Sequence, residues 1–216
     1  MAEKIVVFLH GFQDCSFSPE EKGEAIKKRL AKGGWTVYSL SYSEGKPTRQ
    51  SLNVAVTKLA AEIDKLGLEK IDVVIGHSMG GLVACDFARS YRKYGIRTVI
   101  MLETPILGLP AWLLRLWRFF SQRQAEYSWL SIQDMRDDGD YVANLNKDWP
   151  AEIRRFEIAG NLSLRLKRFY RLPQGILLTT FPKVGHDGPT GLRGNPEVLD
   201  YIAKILQCLT IPGYYP

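Results

Sequence analysis

The residues with the clearest chemical potential lie in a Gly-x-Ser-x-Gly run at positions 76–80, with Ser78 at its centre. The run follows the apolar stretch 71–75 and leads into a helical-looking stretch at 81–92. Between a strand and a helix this spacing predicts a sharp turn with a strained, exposed serine hydroxyl, because only glycine fits the close contacts on either side. N–H groups at the helix N-terminus would stabilise negative charge that develops beside the hydroxyl. Ser78 is therefore predicted to be a nucleophile.

The elements that must position this turn alternate between strands and helices. Strands are predicted at 5–9, 35–40, 71–75, 96–102, 155–159 and 175–180. Helices are predicted at 19–32, 51–66, 81–92, 141–145 and 196–209. This alternation predicts an α/β fold with a mostly parallel central sheet flanked by helices. At 216 residues the chain is predicted to be a single domain, 1–216.

A small helical cap is predicted at approximately 106–150, since residues 110–146 carry no convincing strand signal. The segment 110–120 places a set of large apolar side chains on one helical face, namely Trp112, Leu113, Leu116, Trp117 and Phe120. Basic side chains at Arg115 and Arg118 fall on the other face. Three interpretations stay open: a helix packed on the body, a lid over an apolar cleft, and a contact with a membrane interface.

The chain is basic, with a net charge of +6 and a pI near 9.2. Much of the positive charge lies in the second half, at Arg115, Arg118, Arg123, Arg154, Arg155, Arg165, Lys167, Arg168 and Arg171. These side chains are interpreted either as a solvated basic face or as a surface that attracts anionic lipid or an acidic substrate. No nucleic-acid partner is predicted, because nothing in the sequence resembles a nucleic-acid-binding motif.

The predicted location is cytoplasmic. The three cysteines, Cys15, Cys85 and Cys208, are widely spaced and show no CxxC pairing, which indicates free thiols in a reducing compartment. The apolar run 5–9 near the N-terminus is too short for the core of a signal peptide and far too short to span a membrane.

Taken together, these segments resemble the α/β-hydrolase superfamily, specifically its small lipase and esterase branch. Residues 8–12 (Phe-Leu-His-Gly-Phe) resemble the strand end that contributes an oxyanion-hole N–H, and 76–80 resemble the nucleophile elbow. Residues 102–108 are similar to the GTPHxG stretch of such lipases, with Glu103 in place of the usual glycine. The other similar segments are 134–146 (the connector after the lid), 156–160 (the penultimate strand) and 185–188 (the catalytic-histidine loop). The resemblance covers nearly the whole chain and implies the α/β-hydrolase fold.

A serine hydroxyl needs a base within hydrogen-bonding reach to act as a nucleophile at neutral pH. The chain contains three histidines, His10, His77 and His186. His77 adjoins Ser78, where its side chain should diverge from the hydroxyl, and the resemblance gives His10 a role in the oxyanion loop. His186 follows the strand 175–180 in a Gly-flanked loop and fits the chain order serine, acid, histidine. His186 is therefore predicted to be the general base.

The acid that would orient the imidazole and stabilise its cation is harder to assign. The resemblance places it after the strand that ends at Ala159, but residues 160–163 (Gly-Asn-Leu-Ser) contain no carboxylate. A second position used in the family, the end of the strand after the elbow helix, is occupied by Glu103. We therefore predict Glu103, with two alternatives. Asp187 would have to curl back to reach His186, and an Asn161 amide would stabilise the imidazolium less well than a carboxylate.

The backbone N–H groups of Phe12 and Met79 are predicted to form the oxyanion hole. The chain is then predicted to be a serine hydrolase that cleaves small-molecule or lipid-like carboxylic esters through an acyl-enzyme on Ser78. Acyl transfer or thioester hydrolysis by the same triad, and a catalytically silent hydrolase fold that binds ligands, remain as alternatives. Neither a cofactor nor a metal is predicted, because the histidines are scattered and no metal-binding cluster of His or Cys is visible.

Overall fold

The computed structural model describes residues 3–12, 19–43, 50–112, 114, 129–161, 173, 175–186 and 190–210. Its strands are β1 Lys4–Leu9, β2 Trp35–Leu40, β3 Val73–His77, β4 Thr98–Leu102, β5 Arg154–Ala159 and β6 Ile176–Thr180. Its helices are α1 Pro19–Ala31, α2 Leu52–Lys65, α3 Met79–Ser90, α4 Trp129–Asp134, α5 Asp140–Asn146 and α6 Pro196–Leu209. The strands and helices predicted within these ranges are all present, with ends displaced by at most two residues.

The six strands form one sheet in the order β2-β1-β3-β4-β5-β6, and every neighbouring pair is parallel. The prediction of a parallel sheet flanked by helices is confirmed. Side chains alternate between the faces, so that Val7 and Leu9 pack with α2 and α3, whereas Val6 and Phe8 pack with α1 and α6. The connection from β1 to β2 runs in the opposite direction along the sheet from the later ones. A right-handed crossover therefore places α1 on the face opposite α2 and α3.

Two helices illustrate how local sequence fixes these layers. The apolar residues of α2 recur at helical spacing and are all buried: Leu52, Ala55, Val56, Leu59, Ala60 and Ile63. At the start of α6, the Asn195 side-chain oxygen accepts hydrogen bonds from the N–H groups of Glu197 (2.9 Å) and Val198 (3.3 Å). Pro196 occupies the first turn, where its missing N–H leaves no helical bond unmade. Asn195 and Pro196 thus fix the point at which α6 begins.

The segment between β4 and β5 contains α4 and α5, and its described residues form no strand beyond a single bridge between Leu109 and Arg136. The insertion is therefore helical where it is described, while its division into a separate cap at 106–150 stays a prediction. Trp112 is 54% exposed and Leu114 is buried. The rest of the aromatic segment, residues 113 and 115–123, lies outside the described residues, so its three interpretations also stay open.

Arg155 does not belong to the basic surface, and its inclusion there was wrong. Its side chain is 2% exposed, its Nη1 donates to Asn146 Oδ1 at 3.0 Å, and its guanidinium lies 4.1 Å from the centre of the Trp149 ring. Burial lowers the pKa of Arg155. The alternation of strand β5 places this side chain inward, which a count of basic residues does not reveal. Of the helices that the structure describes, none has both the length and the apolarity to cross a membrane.

Candidate active site

The predicted nucleophile lies in a one-residue turn between β3 and α3. Ser78 has φ 53° and ψ −124°, and it separates the last residue of β3 from the first residue of α3. A Cβ atom on Gly76 would lie 2.4 Å from the Gly80 carbonyl oxygen, and one on Gly80 would lie 2.2 Å from that of His10. Both positions therefore require glycine. Because the helix starts at Met79 rather than Gly81, the serine sits directly at its N-terminus.

Glu103 shares this strain. The non-glycine residues with positive φ in the described part of the chain are Ser78, Glu103 (51°) and Asp148 (50°). Such conformations cost about 1–3 kcal/mol and concentrate at functional sites. The backbones of Ser78 and Glu103 are both held by the neighbouring strand: Ser78 N–H donates to the Leu102 oxygen at 2.8 Å, and Glu103 N–H donates to the Ile158 oxygen at 2.9 Å. The parallel ladder thus extends one residue into the site.

Glu103 and His186, the predicted acid and base, are in direct contact. Glu103 Oε2 lies 2.9 Å from His186 Nδ1, and the other carboxylate oxygen accepts the Gly160 N–H at 3.1 Å. The carboxylate is 1% exposed and the imidazole 22% exposed. A Cβ on Gly160 would lie 3.1 Å from Glu103 Oε2 and 2.7 Å from the Val184 oxygen, so the glycine leaves room for the carboxylate. With Nδ1 turned to Glu103, the Nε2 atom of His186 points to the opposite side of the ring.

His77 has a role that the sequence reasoning missed. Its side chain is buried, its Nε2–H donates to the His186 carbonyl oxygen at 3.0 Å, and the two imidazole rings lie 4.7 Å apart. The residue next to Ser78 therefore ties the histidine loop to the nucleophile turn. The two histidines are separated by 109 positions, so no local pattern could have shown this contact.

The loop after β1 is held against the same turn. The Tyr42 hydroxyl donates to the His10 carbonyl oxygen at 2.7 Å, and the two rings stack with centroids 4.7 Å apart. A Cβ on Gly11 would lie 3.2 Å from the Ser78 Cβ, so the loop passes beside the serine. Phe12 follows in a half-buried turn, and Met79 is the first residue of α3, where an N–H has no helical partner. The joint action of these two N–H groups as an oxyanion hole stays a prediction.

Of the two alternative orienting residues, Asn161 lies in the described part of the chain. Asn161 follows Gly160 at the end of β5, and its backbone N–H donates to the Val184 oxygen at 2.9 Å. Asp187 lies outside the described residues. Within the described ranges, no group of three His, Cys, Asp or Glu side chains is arranged to hold a metal ion. The expectation of a site without metal or cofactor stays a prediction.

Known proteins share the fold of this chain. The family profile described as "Alpha/beta hydrolase family" matches residues 6–202. Among solved structures, the monoacylglycerol lipase of Paleococcus ferrophilus is similar, with 18% identity, a TM-score of 0.62 and coverage of 94% of this chain and 93% of the lipase. A thermophilic esterase from Thermogutta terrifontis is 18% identical, with a TM-score of 0.63 and coverage of 95% and 90%.

The phospholipase PlaB of Legionella pneumophila is also similar, at 16% identity and a TM-score of 0.67, and the alignment covers 94% of this chain and 58% of the phospholipase. No curated protein sequence matches the chain significantly. At such identities the structural likeness demonstrates a common fold and leaves the reaction to be argued from the site.

Proposed function

Since the chain belongs to the alpha/beta hydrolase family, we propose that it is a serine hydrolase that cleaves carboxylic esters. The observation that supports this most directly is the 2.9 Å hydrogen bond between His186 Nδ1 and the buried Glu103 carboxylate, beside the strained turn at Ser78. A buried carboxylate on a histidine at the carboxyl ends of parallel strands is the arrangement that activates a serine. The same pairing is unnecessary in a silent binding fold.

The proposed first step is transfer of the Ser78 proton to His186 Nε2 as the hydroxyl oxygen attacks the ester carbonyl carbon. His186 can accept that proton because Nδ1–H donates to Glu103, which leaves the lone pair on Nε2. The imidazolium that forms is stabilised by the ionised carboxylate. The Gly160 N–H on the second carboxylate oxygen fixes the orientation of the acid.

The negative charge on the carbonyl oxygen of the tetrahedral intermediate would be stabilised by the N–H groups of Phe12 and Met79. One such donor typically contributes about 3 kcal/mol to transition-state stabilisation. The intermediate collapses to an acyl-enzyme on Ser78, and the alcohol leaves with the proton from His186. Water activated by the same imidazole then releases the acid. In this scheme every proton moves through one nitrogen atom of one histidine.

For the substrate we propose an ester with an apolar acyl chain. The described residues beside the nucleophile include the half-buried Phe12 and the buried Met79. Trp112, 54% exposed, begins a stretch of sequence, 112–123, that is rich in aromatic and basic residues. A monoacylglycerol lipase and a phospholipase are among the structural neighbours, which supports a lipid-like ester as the substrate class.

The test is hydrolysis of p-nitrophenyl esters from acetate to dodecanoate by the wild-type protein and by Ser78→Ala. We expect turnover that increases with acyl length, and loss of at least about 10³-fold in the variant, since no other group replaces the nucleophile. Ser90→Ala, at the far end of the same helix, should hydrolyse at the wild-type rate. Turnover that survives in Ser78→Ala would disprove the mechanism, and turnover of acetate alone would disprove the apolar substrate class.

A further inference from the structure

A second carboxylate lies completely inside the protein close to the proposed acid. Glu157, on β5, is 0% exposed. A buried carboxylate is costly unless hydrogen bonds or opposite charge compensate the loss of water. Glu157 has no part in the reaction steps proposed above, so its burial requires another explanation.

One oxygen of this carboxylate holds the residue after the acid. The Thr104 N–H donates to Glu157 Oε1 at 3.0 Å, and Thr104 is itself 0% exposed. The ladder between β4 and β5 ends one residue earlier, with the hydrogen bond from Glu103 N–H to the Ile158 oxygen. The side chain of Glu157 therefore supplies an acceptor where the strand no longer does. The N–H that it fixes belongs to the peptide group that joins Glu103, with φ 51°, to Thr104.

Thr104 is also fixed from the side of the nucleophile. A Cβ atom on Gly81 would lie 1.8 Å from Thr104 Oγ1 and 2.7 Å from its Cγ2. The Thr104 side chain thus packs directly against α3 at Gly81, which follows Ser78 by three positions. Rotation of the peptide group between Glu103 and Thr104 would therefore break the hydrogen bond to Glu157 and also disturb the contact of Thr104 with Gly81.

A positive charge lies in the same buried layer. Arg155 precedes Glu157 by two positions on β5, and the strand alternation places both on one face of the sheet. Both act on the Cys85 thiol: burial raises its pKa to about 12, the Arg155 charge lowers it and the Glu157 charge raises it. The positive charge of Arg155 near the same thiol offers a compensating charge for the buried Glu157 carboxylate.

We propose that Glu157 is a positioning residue whose hydrogen bond to the Thr104 N–H holds the strained backbone of Glu103, so that the Glu103 carboxylate reaches both Gly160 and His186. This inference rests on the proposed function, because it assigns Glu157 a purpose in assembling the proposed triad. According to this proposal, Glu157 positions Glu103 through its hydrogen bond and not through its negative charge.

Two variants separate these features. Glu157→Gln keeps an oxygen acceptor at the same reach and removes the charge. Glu157→Asp keeps the charge and withdraws the acceptor by one methylene. We expect kcat of Glu157→Gln within about fivefold of wild type. In Glu157→Asp we expect a decrease of about 10- to 100-fold with KM unchanged, since a misplacement near 1 Å costs up to about 10²-fold. Thr98→Val, a buried polar-to-apolar change at the other end of β4, should leave kcat unchanged.

The second readout does not depend on catalysis. The Nδ1–H of His186, hydrogen-bonded to Glu103, should give a low-field proton NMR signal, identified by its absence in His186→Ala. The signal should persist in Glu157→Gln and disappear in Glu157→Asp, with both variants showing wild-type circular dichroism and cooperative unfolding. A signal and kcat that survive in Glu157→Asp, or are lost in folded Glu157→Gln, would overturn the inference. If the wild-type protein hydrolyses no ester, the proposed function fails while the NMR comparison still tests the role of Glu157.

Discussion

Replacement of Glu103 by glutamine tests the assignment of the acid with almost no change in shape. In the wild type, one carboxylate oxygen accepts the Gly160 N–H at 3.1 Å and the other faces His186 Nδ1 at 2.9 Å. A glutamine can satisfy the Gly160 N–H only with its amide oxygen, which turns its NH₂ group toward Nδ1. The imidazole would then carry its proton on Nε2, the nitrogen that must accept the proton of Ser78.

Two terms set the size of the effect. Turning the amide to restore the correct tautomer would leave the buried Gly160 N–H without an acceptor, which costs about 1–3 kcal/mol. The neutral amide also withdraws the charge that stabilises the imidazolium, and loss of the correct tautomer in a serine triad lowers kcat about 10⁴-fold. We therefore expect Glu103→Gln to lower kcat by about 10³- to 10⁴-fold, or about 4–5.5 kcal/mol, with KM nearly unchanged.

The assay is the initial rate of p-nitrophenyl ester hydrolysis at saturating substrate, with thermal unfolding followed in parallel. Glu62→Gln, on a side chain of α2 that is 41% exposed, is the matched control and should keep the wild-type rate. Asn161→Ala and Asp187→Asn, the alternative acids, should each stay within about threefold. A Glu103→Gln rate within about threefold of wild type, below 1 kcal/mol of barrier, would refute the assignment.

Three further outcomes are expected from individual contacts. Tyr42→Phe leaves the buried His10 carbonyl without its 2.7 Å donor, so urea denaturation should show that the free energy of unfolding falls by about 1–3 kcal/mol. If the loop after β1 carries an oxyanion donor, kcat of this variant should also fall about tenfold. Burial raises the pKa of Cys85 to about 12, so mass spectrometry should find no alkylation of this thiol by iodoacetamide at about pH 8.5 until the protein is unfolded. Burial raises the pKa of the Asp134 carboxyl group despite the hydrogen bond from the Leu52 N–H. The folded protein therefore binds this proton more tightly than the unfolded chain does. The contribution of Asp134 to the stability of the fold consequently falls as the pH rises above 3.8. Asp134→Asn should accordingly gain stability relative to wild type in urea titrations as the pH rises from 3.8, and a stability difference that does not change with pH would contradict this interpretation.

The sequence predicted the fold through patterns that are local. The apolar spacing of α2, the Asn-Pro start of α6 and the strand runs each depend on a few adjacent residues, which is why their ends differ from prediction by at most two positions. The position of the turn at Ser78 was predictable for the same reason. The glycines at 76 and 80 leave one backbone path between β3 and α3.

The remaining parts of the site depend on contacts between distant segments. Glu103 could be proposed from its position after a strand, but its bond to Gly160 requires the register of β4 against β5. The contact of His77 with the His186 loop joins residues 109 positions apart. The burial of Arg155 and Glu157 conflicts with the usual exposure of charged residues and follows only from the alternation of β5 beneath the helical layer.

Reaction with a fluorophosphonate probe tests the central claim most directly, because the probe phosphonylates only a serine activated by a base. We expect one covalent adduct per chain, located on Ser78 by mass spectrometry of the digested protein, and none in Ser78→Ala or His186→Ala. A native protein that takes up no probe, or that carries the adduct on another residue, would contradict an activated Ser78.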